Sequence, residues 1–201
     1  MTDLAAPQTQ PRAARVIDKT DPRWVRLHEI IESQSLKRGD FILSSGRRSK
    51  YLFQLRQTTM MPEGATLIGD IIVDYMYRVG LDCVGGLEMG AVPLVCAASV
   101  MSFVKASPKS AFFVRKAAKQ HGARERIDGY VQSGAEVLIV DDVATSGGSI
   151  LKAIEGLKEE NIDCPISKAL VIVDRQEGAS ENLAKLGIEL VSIFKKEDFD
   201  I

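Results

Sequence analysis

Histidine is nearly missing from this chain: His28 and His121 are the only two among 201 residues, and they share no local ligand spacing. A structural zinc site is therefore not expected, because such sites gather His and Cys at short intervals. Cysteine is equally sparse. Cys83, Cys96 and Cys164 are an odd number, form no CxxC pair and sit among apolar or small residues. They read as small core residues of a reduced compartment, not as a disulfide framework. Long apolar runs are absent, and the N-terminus carries no apolar signal core, so a soluble cytoplasmic protein with no membrane partner is expected. An excess of one charge is missing too: 26 Lys and Arg stand against 27 Asp and Glu, which leaves no global basic field for nucleic acid. Any anion site must be local. What remains is an ordinary globular composition, 45% hydrophobic and 26% charged, at a length that suits one domain with a sizeable core.

Against that plain background, Val137 to Ser149 reads VLIVDDVATSGGS. Val137, Leu138, Ile139 and Val140 show no alternation, as expected of a strand buried on both faces of a parallel sheet. Ligands of open α/β sheets bind at the carboxyl ends of strands, and this one delivers Asp141 and Asp142 there. The following Ala144, Thr145, Ser146, Gly147, Gly148 and Ser149 offer backbone amides and hydroxyls to an anion just before a helix N-terminus. A phosphate loop alone gains nothing from two acids. Ionised carboxylates accept hydrogen bonds only, so they suit the vicinal 2′ and 3′ hydroxyls of a ribose whose 5-phosphate lies in the adjacent loop. A Walker A loop is excluded by the missing GK[ST] ending, and no G-x-G-x-x-G follows a strand.

Along the chain, residues 1–19 carry proline and glutamine without periodicity and are expected to form a disordered tail. Asp21 and Pro22 supply an N-cap and first helical residue for a helix carrying Trp24, Leu27 and Ile31, with His28 structural. Short β segments near Phe41 to Leu43 and Tyr51 to Leu55 follow, flanking the turn Ser44 to Ser49. Pro62 opens a helix with Leu67, Ile68, Ile71, Ile72, Tyr75, Met76 and Val79 at three-and-four spacing. Strand and helix then alternate: strands at 83–86, 111–115, 137–141, 168–174 and 189–194, helices at 91–104, 150–160 and 181–186. That pattern gives an α/β fold, a mainly parallel central sheet flanked by helices, as one domain over 20–201 whose first part, 20–60, forms a small lid or hood.

A second chemical segment, FVRKAAKQHG at Phe113 to Gly122, places Arg115, Lys116, Lys119 and His121 at a strand end and in the loop beyond. A solvated charged loop is the plain alternative. An anionic group bound or released there would be served by such donors: Arg for bidentate oxygen contacts, Lys as a point charge and His as a proton donor.

The strand, acid pair and threonine-bearing loop resemble the motif of the phosphoribosyltransferase family, and the order RKxxKxHG resembles the mobile catalytic loop of its orotate-specific members. The resemblance runs from about Leu36 to the C-terminus. It implies Mg²⁺-dependent transfer of phosphoribose from 5-phosphoribosyl-1-pyrophosphate to orotate, with the metal held mainly by substrate and no protein metal ligands assigned. It also implies catalytic roles for Lys119, His121 and Asp142. Phosphoribosyl pyrophosphate would be bound by Arg115, Lys116, Asp141, Asp142, Val143, Ala144, Thr145, Ser146, Gly147, Gly148 and Ser149, and orotate by Thr145, Arg175 and Phe53. The loop of such enzymes closes over a neighbouring subunit, which implies a homodimer with shared sites. The glycine segment Gly85 to Gly90 is similar to the family's pyrophosphate loop. Two departures stand out, Ser44 and Met89, where many relatives carry lysine. Another nucleobase, or a non-catalytic sensor of phosphoribosyl pyrophosphate on the same scaffold, remains the alternative.

Overall fold

The computed structural model describes residues 13–42, 46, 48–117 and 125–201. Strand β1 (Ala14–Arg15) precedes helix α1 (Pro22–Ile30), the hairpin strands β2 (Leu36–Ile42) and β3 (Arg48–Phe53), and the helices α2 (Arg56–Thr59) and α3 (Pro62–Val79). Strands and helices then alternate as β4 (Cys83–Gly85), α4 (Ala91–Val104), β5 (Ser110–Val114), β6 (Ile127–Gly129) and β7 (Val137–Ala144). The last elements are α5 (Gly148–Glu159), β8 (Lys168–Asp174), α6 (Ala179–Ala184) and β9 (Glu189–Lys195). A seven-stranded sheet has the order β1-β9-β8-β7-β4-β5-β6, and every pair in it is parallel except β5 with β6.

The unbroken apolar run of β7 is explained by what covers it. Leu138 and Val140 belong to the core shared with α1, α3 and α4, whereas Val137 and Ile139 face the core shared with α5 and α6. All four are fully buried, so neither face tolerates a polar residue. The β2–β3 hairpin, within the segment expected to form the hood, is a separate two-stranded sheet. Asp21 caps α1 through a bond from the Arg23 backbone N–H, as its sequence suggests. His28 is structural: its Nε2 lies 2.8 Å from the Asp198 carbonyl, and its ring stacks between Trp24 and Phe199.

Residues 13–19 correct the expectation of a tail reaching Lys19. Ala14 and Arg15 pair in parallel with Val191 and Ser192, and Ala13 and Val16 are buried. A two-residue strand has no periodicity to read, and it is held by what lies far away in sequence. Arg15 grips Asp198 through both terminal nitrogens, and Lys19 lies 2.6 Å from the same carboxylate. Burial would raise that carboxyl's pKa, but Arg15, Lys19 and the Lys195 N–H outweigh it and hold Asp198 below the usual range. Because the folded pKa is depressed, this stabilisation is present above about pH 4 and is lost as pH falls. Arg15→Ala, which strands a buried carboxylate with one partner fewer, should cost about 1–3 kcal/mol in urea unfolding at neutral pH and less near pH 3. A pH-independent loss would contradict this account.

Candidate active site

Among the described residues, those assigned to chemistry mostly follow the carboxyl ends of parallel strands: Arg115 and Lys116 after β5, Thr145 to Ser149 after β7 and Arg175 after β8. Strand β7 ends by presenting Asp141, 7% exposed, and the half-buried Asp142. Their Oδ1 atoms accept from the next backbone amides along the chain: Asp142 N–H to Asp141 at 3.0 Å and Val143 N–H to Asp142 at 2.9 Å. Burial and the charge of Asp142 push the Asp141 carboxyl up to about 7. Burial raises Asp142 as well, against the pull of the Val143 amide, Asp141 and the positive charge of Arg56 at the start of α2. Two carboxylates this close and this dry resist ionising together. Such a pair is built for something that supplies positive charge or hydroxyl donors.

Beside it lies a cup of about 230 Å³ lined by Asp141, Val143, Ala144, Thr145, Ser146, Gly147, Gly148, Ser149, Ile150 and Lys152. Gly147 adopts a left-handed φ of 84° that turns the chain into α5, and no side chain caps the helix. The first amides of a twelve-residue helix therefore face the cup with no cap competing for them. The cup is lined by the run Val143 to Ser149 anticipated from sequence. A larger groove of about 810 Å³ runs along α5 past Leu151, Ile154 and Ile188, away from the acids. It shares Gly148 and Lys152 with the cup, but neither Asp141 nor Asp142 lines it.

The loop from Gly85 to Gly90 packs onto the acids from the next strand. A Cβ at Gly86 would meet the Val140 carbonyl at 2.2 Å, and one at Gly90 would come within 2.4 Å of Asp141 Oδ1 and 2.8 Å of Asp142 Oδ1. Only glycine lets this backbone come so close. Glu88 accepts a bond of 2.8 Å from the Lys116 backbone N–H, so it ties the glycine loop to the start of the basic segment. From sequence alone Glu88 is more simply a helix-start acid than a metal ligand, and nothing in the sequence signals this link.

Arg115 bonds Asp128 of β6 through Nε, and its backbone N–H donates to the Arg126 carbonyl at 2.7 Å. Lys116 is exposed at the loop entrance. Lys119 and His121, together with Ser44 and Arg47 of the hood turn, lie outside the described residues. Arg175 follows β8 and is buried, 7% exposed, with its amide on the Ala144 carbonyl at 3.0 Å. Its Nε stands 2.9 Å from Glu177 but off the hydrogen-bonding direction, so the contact is ionic. The guanidinium lies over Tyr51 of β3, 4.6 Å from the ring centroid, and Phe53 meets Tyr51 and Phe199 edge-on. The sequence reading missed Arg56, Tyr51 and Asp128. Arg56 opens the short helix α2 without a pattern to mark it, and Asp128 pairs across a strand too short to read.

A parallel sheet whose central strand ends in an acid pair and an amide-lined anion cup, with a glycine loop against the acids, defines a phosphoribosyl-binding class of α/β protein. The family model for the phosphoribosyl transferase domain matches residues 61–197, and the chain belongs to that family. An orotate phosphoribosyltransferase of Bradyrhizobium sp. (strain ORS 278) is 43% identical over 178 residues, spanning 87% of this chain and 95% of its own. One from Aquifex aeolicus (strain VF5) is 38% identical over 173 residues, spanning 85% and 93%. Among solved structures, Mycobacterium tuberculosis H37Rv orotate phosphoribosyltransferase in complex with 5-phospho-alpha-D-ribosyl 1-diphosphate superposes with a TM-score of 0.73 at 29% identity. That superposition covers 88% of this chain and 98% of the other.

Proposed function

We propose that this chain is an orotate phosphoribosyltransferase, converting orotate and 5-phosphoribosyl-1-pyrophosphate reversibly into orotidine 5′-phosphate and pyrophosphate in cytoplasmic pyrimidine biosynthesis. The observation that carries the reading is the buried acid pair opening into the amide-lined cup. Breaking the C1′–pyrophosphate bond builds positive charge on the ribose and negative charge on the leaving group. Asp141 and Asp142 accept the ribose hydroxyls and face the positive side, while Val143 to Ser149 take the 5-phosphate. Arg115 and Lys116 stand at the entrance to receive the pyrophosphate. Thr145, Arg175 and Phe53 form the orotate side, where the guanidinium fork suits a carboxylate or ring carbonyl. The partner subunit's Lys119 and His121 complete the wall facing the leaving group.

Mg²⁺ fits this donor set in one way. Among the described residues no group of three potential metal ligands gathers at Asp141 and Asp142. The ion would be held mainly by substrate and water beside the two acids, as Mg²⁺ prefers, and would supply neutralisation of the pyrophosphate. A homodimer is supported by α4, whose sequence AVPLVCAASVMSFV is apolar on every face. Its inner residues pack on the sheet, yet Val100, Phe103 and Val104 remain 64%, 78% and 67% exposed, with Tyr77 exposed on neighbouring α3. Such a stripe suits a second copy of the chain.

Loss of orotate absorbance in the presence of Mg²⁺ and phosphoribosyl pyrophosphate is the expected outcome, with adenine, hypoxanthine and uracil unreactive. Turnover of one of those bases instead would move the reading to another phosphoribosyltransferase. The acids set a pH dependence. Below about pH 7 the pair binds a proton and loses an acceptor, so kcat/KM for phosphoribosyl pyrophosphate should fall on the acid side with an apparent pKa belonging to the pair. A flat profile between about pH 5.5 and 8 would sink that assignment.

A further inference from the structure

The register of β8 with β9 pairs Asp174 with Lys195, so the next residues, Arg175 and Lys196, leave the carboxyl edge side by side. Both reach the same ring. The Lys196 ammonium lies 5.4 Å from the Tyr51 centroid, against 4.6 Å for the Arg175 guanidinium. Tyr51 is itself buried on β3 and stands 5.7 Å from Phe53, so two cations and two aromatic rings share one corner of the site.

The two cations differ in what balances them. Arg175 has Glu177 beside it, although its buried Nε lacks a directed hydrogen bond. Lys196 is half-buried, and among the described residues its ammonium has neither an ion pair nor a hydrogen bond. A base bearing a carboxylate would find Arg175 already neutralised by Glu177. A second, uncommitted cation changes that balance, because it adds a positive charge and a donor that the ring alone cannot offer.

We infer that Lys196 is a specificity-determining residue that, together with Arg175, selects a pyrimidine carrying a carboxylate. The inference rests on the orotate reading and deepens it. It assigns the discrimination of orotate from an uncharged pyrimidine to a pair of cations, one from each of two adjacent strand ends. The Tyr51 ring contacts both cations and so ties them to one place.

The experiment compares orotidine 5′-phosphate with uridine 5′-phosphate, which differ only in that carboxylate, by calorimetric titration of the full chain. The wild type should prefer the carboxylated nucleotide. Lys196→Met, which keeps the alkyl stem over Tyr51, should weaken orotidine 5′-phosphate by about tenfold, the scale of one charge-assisted contact, and leave uridine 5′-phosphate unchanged. Lys196→Arg should recover most of the preference. If Lys196→Met melts early, Lys196→Gln provides the same comparison with a polar isostere. Unchanged affinity for orotidine 5′-phosphate, an equal loss for both nucleotides, or a wild type without preference would each overturn the role of Lys196. Failure to consume orotate alongside a clear preference for the carboxylated nucleotide would instead count against the transfer reaction.

Discussion

Asp142→Asn is expected to lower kcat/KM for phosphoribosyl pyrophosphate by about a thousandfold while raising the melting temperature near neutral pH. The two effects have one cause. Both carboxyls of the pair are raised by burial, so between about pH 4 and 7 the folded chain binds more protons than the unfolded chain. Stability therefore falls as pH rises across that window, and removing one acid relieves the cost. The transition state loses the same acid at the moment positive charge develops on the ribose. A variant that is less active and less stable would show that Asp142 holds the fold together rather than the reaction.

The same variant tests the shared site. Lys119→Ala and Asp142→Asn subunits, each inactive alone, should regain about a quarter of wild-type activity when dissociated and reassorted in equal amounts, since half the dimers then carry one intact site of two. Recovery requires that Lys119 reach the acids of the other subunit. No recovery would place the basic loop over its own acids.

The strands were legible in the sequence because they are buried on both faces. Val137 to Val140 and Ala169 to Val173 leave no polar residue to blur the pattern, and the chemistry begins where each run stops. The cup was legible for a related reason, since its residues are consecutive. Sites assembled from distant segments were not. Arg175 and Phe53 could be singled out, but nothing in the chain reveals that Tyr51 joins Arg175 to Lys196 across more than a hundred residues. Strand β1 escaped notice because its stability comes from Val191, Ser192 and Asp198 and not from its own two residues. Strand β6 is equally local and equally silent: three residues pair antiparallel to β5, and Asp128 among them fixes Arg115.

Gly90→Ala isolates the geometry of the site from its charges. The backbone at Gly90 is ordinary right-handed helical, φ −58° and ψ −44°, so alanine carries no conformational cost there. The added methyl, however, falls 2.4 Å from Asp141 Oδ1 and 2.8 Å from Asp142 Oδ1. Neither oxygen is free to yield, because each is held by a backbone amide. The glycine loop must move instead, by something near 1 Å, and a displacement of that size costs about a hundredfold in kcat/KM when reacting groups depend on it. Gly80→Ala is the matched control. Gly80 ends α3 at a left-handed φ of 73° with open space around it, so its cost falls on stability, about 1 kcal/mol, and not on turnover. Measured together, the two substitutions should separate: Gly90→Ala slow and nearly as stable as the wild type, Gly80→Ala active and less stable. A Gly90→Ala enzyme with wild-type kcat/KM would mean that the acids and the glycine loop do not act as one surface.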